Sequence, residues 1–258
     1  MTILENAPLI ETIFEVKWGK LNHDKNGFKY EENLESADFL PGKLSDNLAC
    51  KGYAYSEKIN NPAVPFHPRF RYRSAENTWP CFQLGTGIFT VNQIKKNYSG
   101  EAFKESIMLG IEALNKSIRE GIGALDILSV ELEYQDGFEK KLDQTTRLFM
   151  EKNLEFNITP PEKLLAHEAC IDDSFECNLL AIQNRVSTPK GIIKVSLRNA
   201  KISGEDAFVL QSSVQTAEND LPADVNTEYL RNWTDKAHVL LKFAFKNIIK
   251  PETYERFK

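Results

Sequence analysis

The sequence predicts an α+β protein of two similar halves, each running strand, short helix, about four antiparallel strands and long helix. Three observations carry this reading. The chain has 258 residues, which is about the upper limit for a single core and enough for two closely packed ones. Two segments, one ending near residue 120 and one near the C-terminus, carry apolar residues at helical spacing. Each follows a series of short alternating segments joined by connections too short for parallel crossovers, which makes antiparallel neighbours the default. The halves divide at residues 1–123 and 124–258. They share element order rather than residue identity.

In the first half, Leu9, Ile10, Ile13, Phe14, Val16 and Trp18 are interleaved with Glu11, Glu15 and Lys17, as in a half-buried strand. A polar segment follows, then a short helix from Asn33 to Ala49, interrupted at Pro41-Gly42. Strands are expected over Tyr53 to Ile59, Phe70 to Ser74, Cys81 to Leu84 and Ile88 to Asn92, with Gly85-Thr86-Gly87 as a hairpin connection. Three prolines make 60–68 irregular. A long helix starts after Ser99, a capping residue. Phe103, Ile107, Ile111, Leu114 and Ile118 form its buried stripe, and Gly121 and Gly123 end it.

In the second half, Leu125 to Tyr134 reads as a strand and Thr145 to Leu154 as a short helix. Strands are expected over Leu165 to Ile171, Phe175 to Gln183, Gly191 to Arg198 and Ala207 to Thr216, with a hairpin loop at 201–206. The last helix spans about Asn226 to Ile249. Asp224 or Asn226 caps it, and its stripe runs through Leu230, Trp233, Ala237, Leu240, Leu241, Ala244 and Ile248.

Composition narrows the function classes. A formal net charge of -5 argues against a general nucleic-acid binder, which needs a basic surface to neutralise phosphates. The N-terminus has neither a basic nor an apolar stretch of the secretory kind. The most apolar run, 239–249, is broken by Lys242, Lys246 and Asn247 and is too short to span a bilayer. Cys50, Cys81, Cys170 and Cys177 form no Cys-x-x-Cys pair and read as free thiols in a reducing cytoplasm.

No nucleotide loop or nucleophile elbow is present: the glycines at 85 and 87 lie between strands, and no Gly-x-Ser-x-Gly occurs. The four histidines, His23, His67, His167 and His238, include no two at ligand spacing. Folding is needed to gather His167 and Glu168 with Asp172 and Asp173, and the last two read as a solvated turn. Neither a metal nor a cofactor is expected. On the last helix, Asp235, His238 and Lys242 share a face, and Asp235 is placed to orient His238 as a carboxylate orients a general base. The alternative is a packed histidine beside a surface ion pair. In Arg69-Phe70-Arg71-Tyr72-Arg73 a strand puts Arg69, Arg71 and Arg73 on one face and the aromatic rings on the other. Such a row suits an anionic ligand, or else guards an edge strand and pairs with the protein's own carboxylates. Lys242, Lys246, Lys250, Arg256 and Lys258 favour the negative end of the last helix.

Three sets of short motifs run through the chain: Asn6-Ala7-Pro8-Leu9-Ile10-Glu11 with Ile13-Phe14-Glu15-Val16; Gln83-Leu84-Gly85, Val91-Asn92, Tyr98-Ser99-Gly100 and Phe103; and Ala237-His238, Phe245 and Glu255-Arg256-Phe257. Together they resemble a sporadically distributed, uncharacterised family of prokaryotic proteins of about this length. The chain departs from that family's pattern at Gly100-Glu101, where the family commonly has Gly-Trp. It departs again in the central strand, which reads Glu131-Leu132-Glu133-Tyr134-Gln135-Asp136 where the family often has an Arg-Tyr-x-Asn stretch. The resemblance implies a cytoplasmic bacterial or archaeal protein carried in variable genome regions, and no particular activity. The leading expectation is a non-enzymatic binding or interaction protein, a component of a genomic-island or defence-type system with a protein partner or self-association. The alternatives are a binder of a small anionic ligand or nucleotide in a cleft between sheet and long helix, using Arg69, Arg71 and Arg73, and a hydrolase or nuclease built on His238 and Asp235.

Overall fold

Alternation along Leu9–Trp18 makes the first strand, β1, with Leu9, Thr12, Phe14, Val16 and Trp18 buried and the residues between them half-buried. The computed structural model describes all residues except 1–5, 25–26, 32–37, 62–63, 97, 120–124, 143, 157, 160, 168, 170–176, 217–218 and 223. After β1 come β2 (Lys20–Asp24) and β3 (Gly27–Glu31), which pair as a two-stranded hairpin where the sequence suggests only a polar segment. The short helix α1 is described from Leu40 to Ala49; the expected start near Asn33 lies outside the described residues. Pro41 does not interrupt it. It sits in the first turn, where its missing N–H has no intrahelical acceptor to lose.

Four strands follow, β4 (Tyr55–Lys58), β5 (Pro68–Arg73), β6 (Cys81–Gly85) and β7 (Ile88–Ile94), then the long helix α2 (Gly100–Arg119). Ser99 caps α2 by accepting from the Ala102 N–H at 3.1 Å. The second run consists of β8 (Ile127–Glu139), α3 (Thr146–Asn153), the one-turn helix α4 (Glu162–Leu165), β9 (Leu179–Ser187), β10 (Lys190–Ile202) and β11 (Glu205–Gln215). The long helix α5 (Thr227–Ile248), the short α6 (Pro251–Tyr254) and a 3₁₀ turn over Glu255–Phe257 complete it. The strand expected over Leu165 to Ile171 is not formed where it is described: Leu165 ends α4, Ala166, His167 and Ala169 lie in turns or a bend, and 168, 170 and 171 fall outside the described residues. β8 continues five residues beyond the expected end at Tyr134, because β11 offers it partners as far as Glu139. Asn226, not Asp224, caps α5, accepting from the Tyr229 N–H at 2.9 Å.

Among the described residues, the nine strands apart from the hairpin form one antiparallel sheet in the order β4-β5-β6-β7-β1-β8-β11-β10-β9. The strands of the two expected halves are thus joined in one continuous sheet. Its seam is the β1–β8 pairing, which sets Thr12 opposite Tyr134 and Glu15 opposite Glu131. Strands preceding α2 lie on one side of the seam and strands following it on the other.

Every helix that contributes to the core does so on the same face of the sheet. The larger cluster takes Phe14, Val16, Phe82, Phe89, Val91, Val130 and Leu132 from strands, and residues of α1, α2 and α5 from above. The smaller one joins Phe138, Val195, Leu197, Phe208 and Leu210 to α3, Ile249 and the C-terminal aromatic residues. The α5 stripe is buried at Leu230, Trp233, Ala237, Leu241 and Ala244, while Leu240 and Ile248 are half-buried at its margin. Polar links tie the helices together: Asn47 Nδ2 donates to Ser117 Oγ at 2.9 Å, and Lys104 pairs with Asp235 at 2.7 Å. Gly110 lets α2 approach the sheet, since a Cβ there would lie 2.8 Å from the Phe82 ring.

Candidate functional site

Side chains alternate across a strand, so a sheet whose helices share one face must present its other face elsewhere. Cross-strand register identifies the residues on it. Running across the sheet, they include Glu57 on β4, Arg71 on β5, Gln83 on β6, Thr90 on β7, Glu15 on β1, Glu131 on β8, Gln215 on β11 and Lys194 on β10. This face is polar along almost its whole width. Its polar side chains bond to one another, both along single strands and between neighbouring ones. Asn92 donates to Glu11 at 2.8 Å and Thr90 to Asn92 at 2.6 Å. Gln211 and Gln135 both donate to Glu133, at 2.8 and 2.6 Å. Lys194 reaches Gln215 at 2.6 Å, and Lys17 pairs with Glu15 at 2.5 Å.

The electrostatics of the face are uneven. At the seam two carboxylates oppose one another directly, Glu15 against Glu131, with Glu133 two residues along. Burial, offset in part by Lys17, raises Glu15 above the ordinary carboxylate range, and Glu131 adds to the rise. Burial also raises Glu133, against the stabilising hydrogen bonds from Gln135 and Gln211. Like charges directly opposite on paired strands are unfavourable. Toward one edge, Arg71 and Arg73 flank Glu57 at 3.6 and 3.7 Å. Arg73 is nearly buried, with its guanidinium 5.4 Å from the centre of the Trp79 ring. The Nε atoms of Arg69, Arg71 and Arg73 have no hydrogen-bond acceptor among the described residues.

The arginine row thus lies on one face, as its spacing requires, with Phe70 and Tyr72 turned to the core. It faces away from the helices, however, so it does not line a cleft between sheet and long helix. Two of its three members already share a carboxylate.

His238 belongs to α5, and its ring packs against the opposite face of the sheet. Its Nδ1 is 2.5 Å from the Tyr134 hydroxyl, which is 3.1 Å from that of Tyr98. Asp235, expected to orient the imidazole, pairs with Lys104 instead. Gly100 makes room for the ring, because a Cβ there would stand 3.0 Å from it. Burial, reinforced by Lys242, lowers His238 to about 4, and burial raises Tyr98 to about 12 and Tyr134 well above the ordinary tyrosine value. These shifts favour the neutral form of all three groups near neutral pH. Asp136 lies on the same face, two residues beyond Tyr134, 6% exposed and raised to about 7 by burial alone.

Among the described residues no group of three or more His, Cys, Asp or Glu side chains is placed to hold a metal ion; most of the His167–Asp173 set lies outside them. No described helix is long and apolar enough to cross a membrane. The carboxylate seam and the Tyr98–Tyr134–His238 chain escaped sequence reasoning because their members are brought together by pairing across the whole chain. The one local signal was an excess of glutamate in β1 and β8, two strands that proved central. No family model matches the chain, and no curated protein or solved structure matches it at a significant level.

Proposed function

We propose that this is a non-enzymatic, cytoplasmic binding protein whose partner is a polypeptide, engaged through the polar face of the nine-stranded sheet. One observation carries the reading: Glu15 and Glu131 are held directly opposite each other at the middle of that face, partly desolvated. A sheet built for stability alone avoids such a pair. Local violations of this kind concentrate at functional positions, and a cationic group from a partner would relieve this one. The amide side chains of Gln83, Gln135 and Gln211 and the flanking arginines offer hydrogen bonds around it.

The mirrored strand order about the β1–β8 seam supports a duplication of one sheet-and-helix unit, with the halves meeting at the proposed surface. Kinship with the prokaryotic family suggested by the motifs is part of the proposal. It is supported by the convergence of Tyr98, Gly100 and His238, which belong to two separate motifs, at one place under α5.

Site-specific photo-crosslinking in the native host tests the surface. A crosslinker at Gln83 or at Gln211 should capture the same polypeptide, and Glu131→Lys should abolish both adducts. Capture only from Val239, on the exposed side of α5, or from no position, refutes the assignment.

A further inference from the structure

We propose that the protein forms a two-fold dimer in which β9 pairs antiparallel with β9 of a second copy, joining two sheets into one. This goes beyond the sheet-face reading and uses the rim of the sheet rather than its face. β9 is a terminal strand of the nine-stranded sheet. It runs nine residues, Leu179–Ser187, and among the described residues β10 is its one ladder partner. Along its outer side, alternate N–H and C=O groups are left to water, a ready template for another strand.

Sheet edges are ordinarily protected by brevity, charge or proline. The opposite edge follows that rule: β4 has four residues, and Glu57 and Lys58 are charged. β9 has none of these protections. It contains no proline and no lysine, and Arg185 is its one charged residue. It also exposes apolar side chains, Leu179 at 61% and Ile182 at 43%. Ile182 stands opposite the buried Val195 in the register, so the apolar layer of the smaller cluster reaches the rim without cover.

The occupant follows from the hazard. A long apolar edge invites association in every copy at all times, and the strand always present in equal amount is its own. Self-pairing over the full strand puts the two-fold axis at Gln183. Leu180 then meets Val186 of the second copy, Ile182 meets Asn184, and Arg185 meets Ala181 rather than another arginine. The contact is closed, because it consumes both β9 edges and leaves the two protected β4 edges outside. Pairing β9 with β4 of another copy would leave a free edge at each addition and propagate.

The test joins sedimentation velocity of the full-length chain with amide hydrogen exchange, each across a range of concentrations. The expected result is a concentration-dependent dimer, with residues 179–187 exchanging more slowly as it forms and residues 55–58 unchanged. Leu179→Lys combined with Ile182→Lys, both at exposed positions, should raise the dimer Kd at least about tenfold, with far-UV circular dichroism unchanged. A chain that stays monomeric up to about 0.2 mM, a dimer that persists equally in the double variant, or slowed exchange elsewhere but not over 179–187 overturns the proposal. The exchange pattern of the natural chain decides the matter even if the double variant does not fold. Glu131→Lys, on the sheet face, should dimerise as the natural chain does, which separates failure of this edge from failure of the sheet-face reading.

Discussion

Replacing Asp136 with asparagine should stabilise the protein by an amount that grows with pH. The carboxyl is buried on the core face of β8, and burial alone raises its pKa from the ordinary 3.8 to about 7. Between those values the folded chain keeps a proton that the unfolded chain has lost. Stability therefore falls as pH rises through this window and levels off above the folded pKa. At about 1.4 kcal/mol for each pH unit, the full penalty is about 4 kcal/mol. The linkage expression places about 2 kcal/mol of it at pH 5 and nearly all of it, about 4 kcal/mol, at pH 8. The amide of Asp136→Asn does not titrate, so the stability difference between variant and natural chain should widen by about 2–3 kcal/mol from pH 5 to pH 8. Any fixed effect of the amide on its neighbours cancels from that change. So does the opposing contribution of His238, whose lowered pKa of about 4 makes stability rise with pH between about 4 and 6.5 in both proteins. Urea unfolding at the two pH values measures the quantity directly. A difference that stays constant within about 0.5 kcal/mol, against an expected change several times larger, would show that Asp136 is solvated or ion-paired in the folded state and refute the reasoning.

Further substitutions check the packing and the candidate surfaces. Gly110→Ala should cost about 1–3 kcal/mol by thermal unfolding, because the added methyl group meets the Phe82 and Phe89 rings and forces α2 off the sheet. Asn226→Ala removes the side-chain cap from the Tyr229 N–H and should cost about 1 kcal/mol, read from the urea midpoint. Gly100→Ala should displace His238 from Tyr134, seen by NMR as a change in the imidazole chemical shifts and a rise of its pKa toward the ordinary 6.5 as the ring gains solvent. Glu131→Gln should lower the pKa of Glu15 in carbon-detected titrations, since it removes the charge that faces it.

Elements whose signal is short-range were legible in the sequence. The alternation of β1 and the stripes of α2 and α5 depend only on residues one to four apart, and Thr86-Gly87 closes the β6–β7 hairpin with Gly87 at a φ of 68°. The β2–β3 hairpin was not legible, because Lys20–Asp24 has one apolar residue in five and no alternation. The single sheet was hidden for a different reason. Its seam joins residues more than a hundred positions apart, as the Thr12 hydroxyl donating to the Glu133 carbonyl across 121 residues illustrates. The arginine row was placed correctly on one face by spacing alone, yet its pairing with Glu57 depends on which strand lies beside β5. The same holds for His238: helical spacing suggested Asp235 as its partner, but Lys104 on α2 takes that carboxylate and Tyr134 on the sheet takes the imidazole.

The two seam strands are polar on both faces, and the two sides have different consequences. On the core side, Thr12, Tyr134 and Asp136 interrupt what is otherwise a continuous apolar layer, at the boundary between the larger and smaller clusters. On the open side the same strands carry Glu11, Glu15, Glu131 and Glu133. The middle of a sheet is the position where apolar residues contribute most, so polar groups there lower stability on both faces at once. The core-side groups are answered internally, by the Tyr98–Tyr134–His238 chain and by the proton that burial leaves on Asp136 below about pH 7. The open-side carboxylates are answered only in part, by Lys17, Asn92, Gln135 and Gln211. A partner that places a cation over this pair would favour the ionised form of Glu15. Its affinity should therefore increase as pH rises through the elevated range of Glu15, the opposite of the trend that Asp136 imposes on stability.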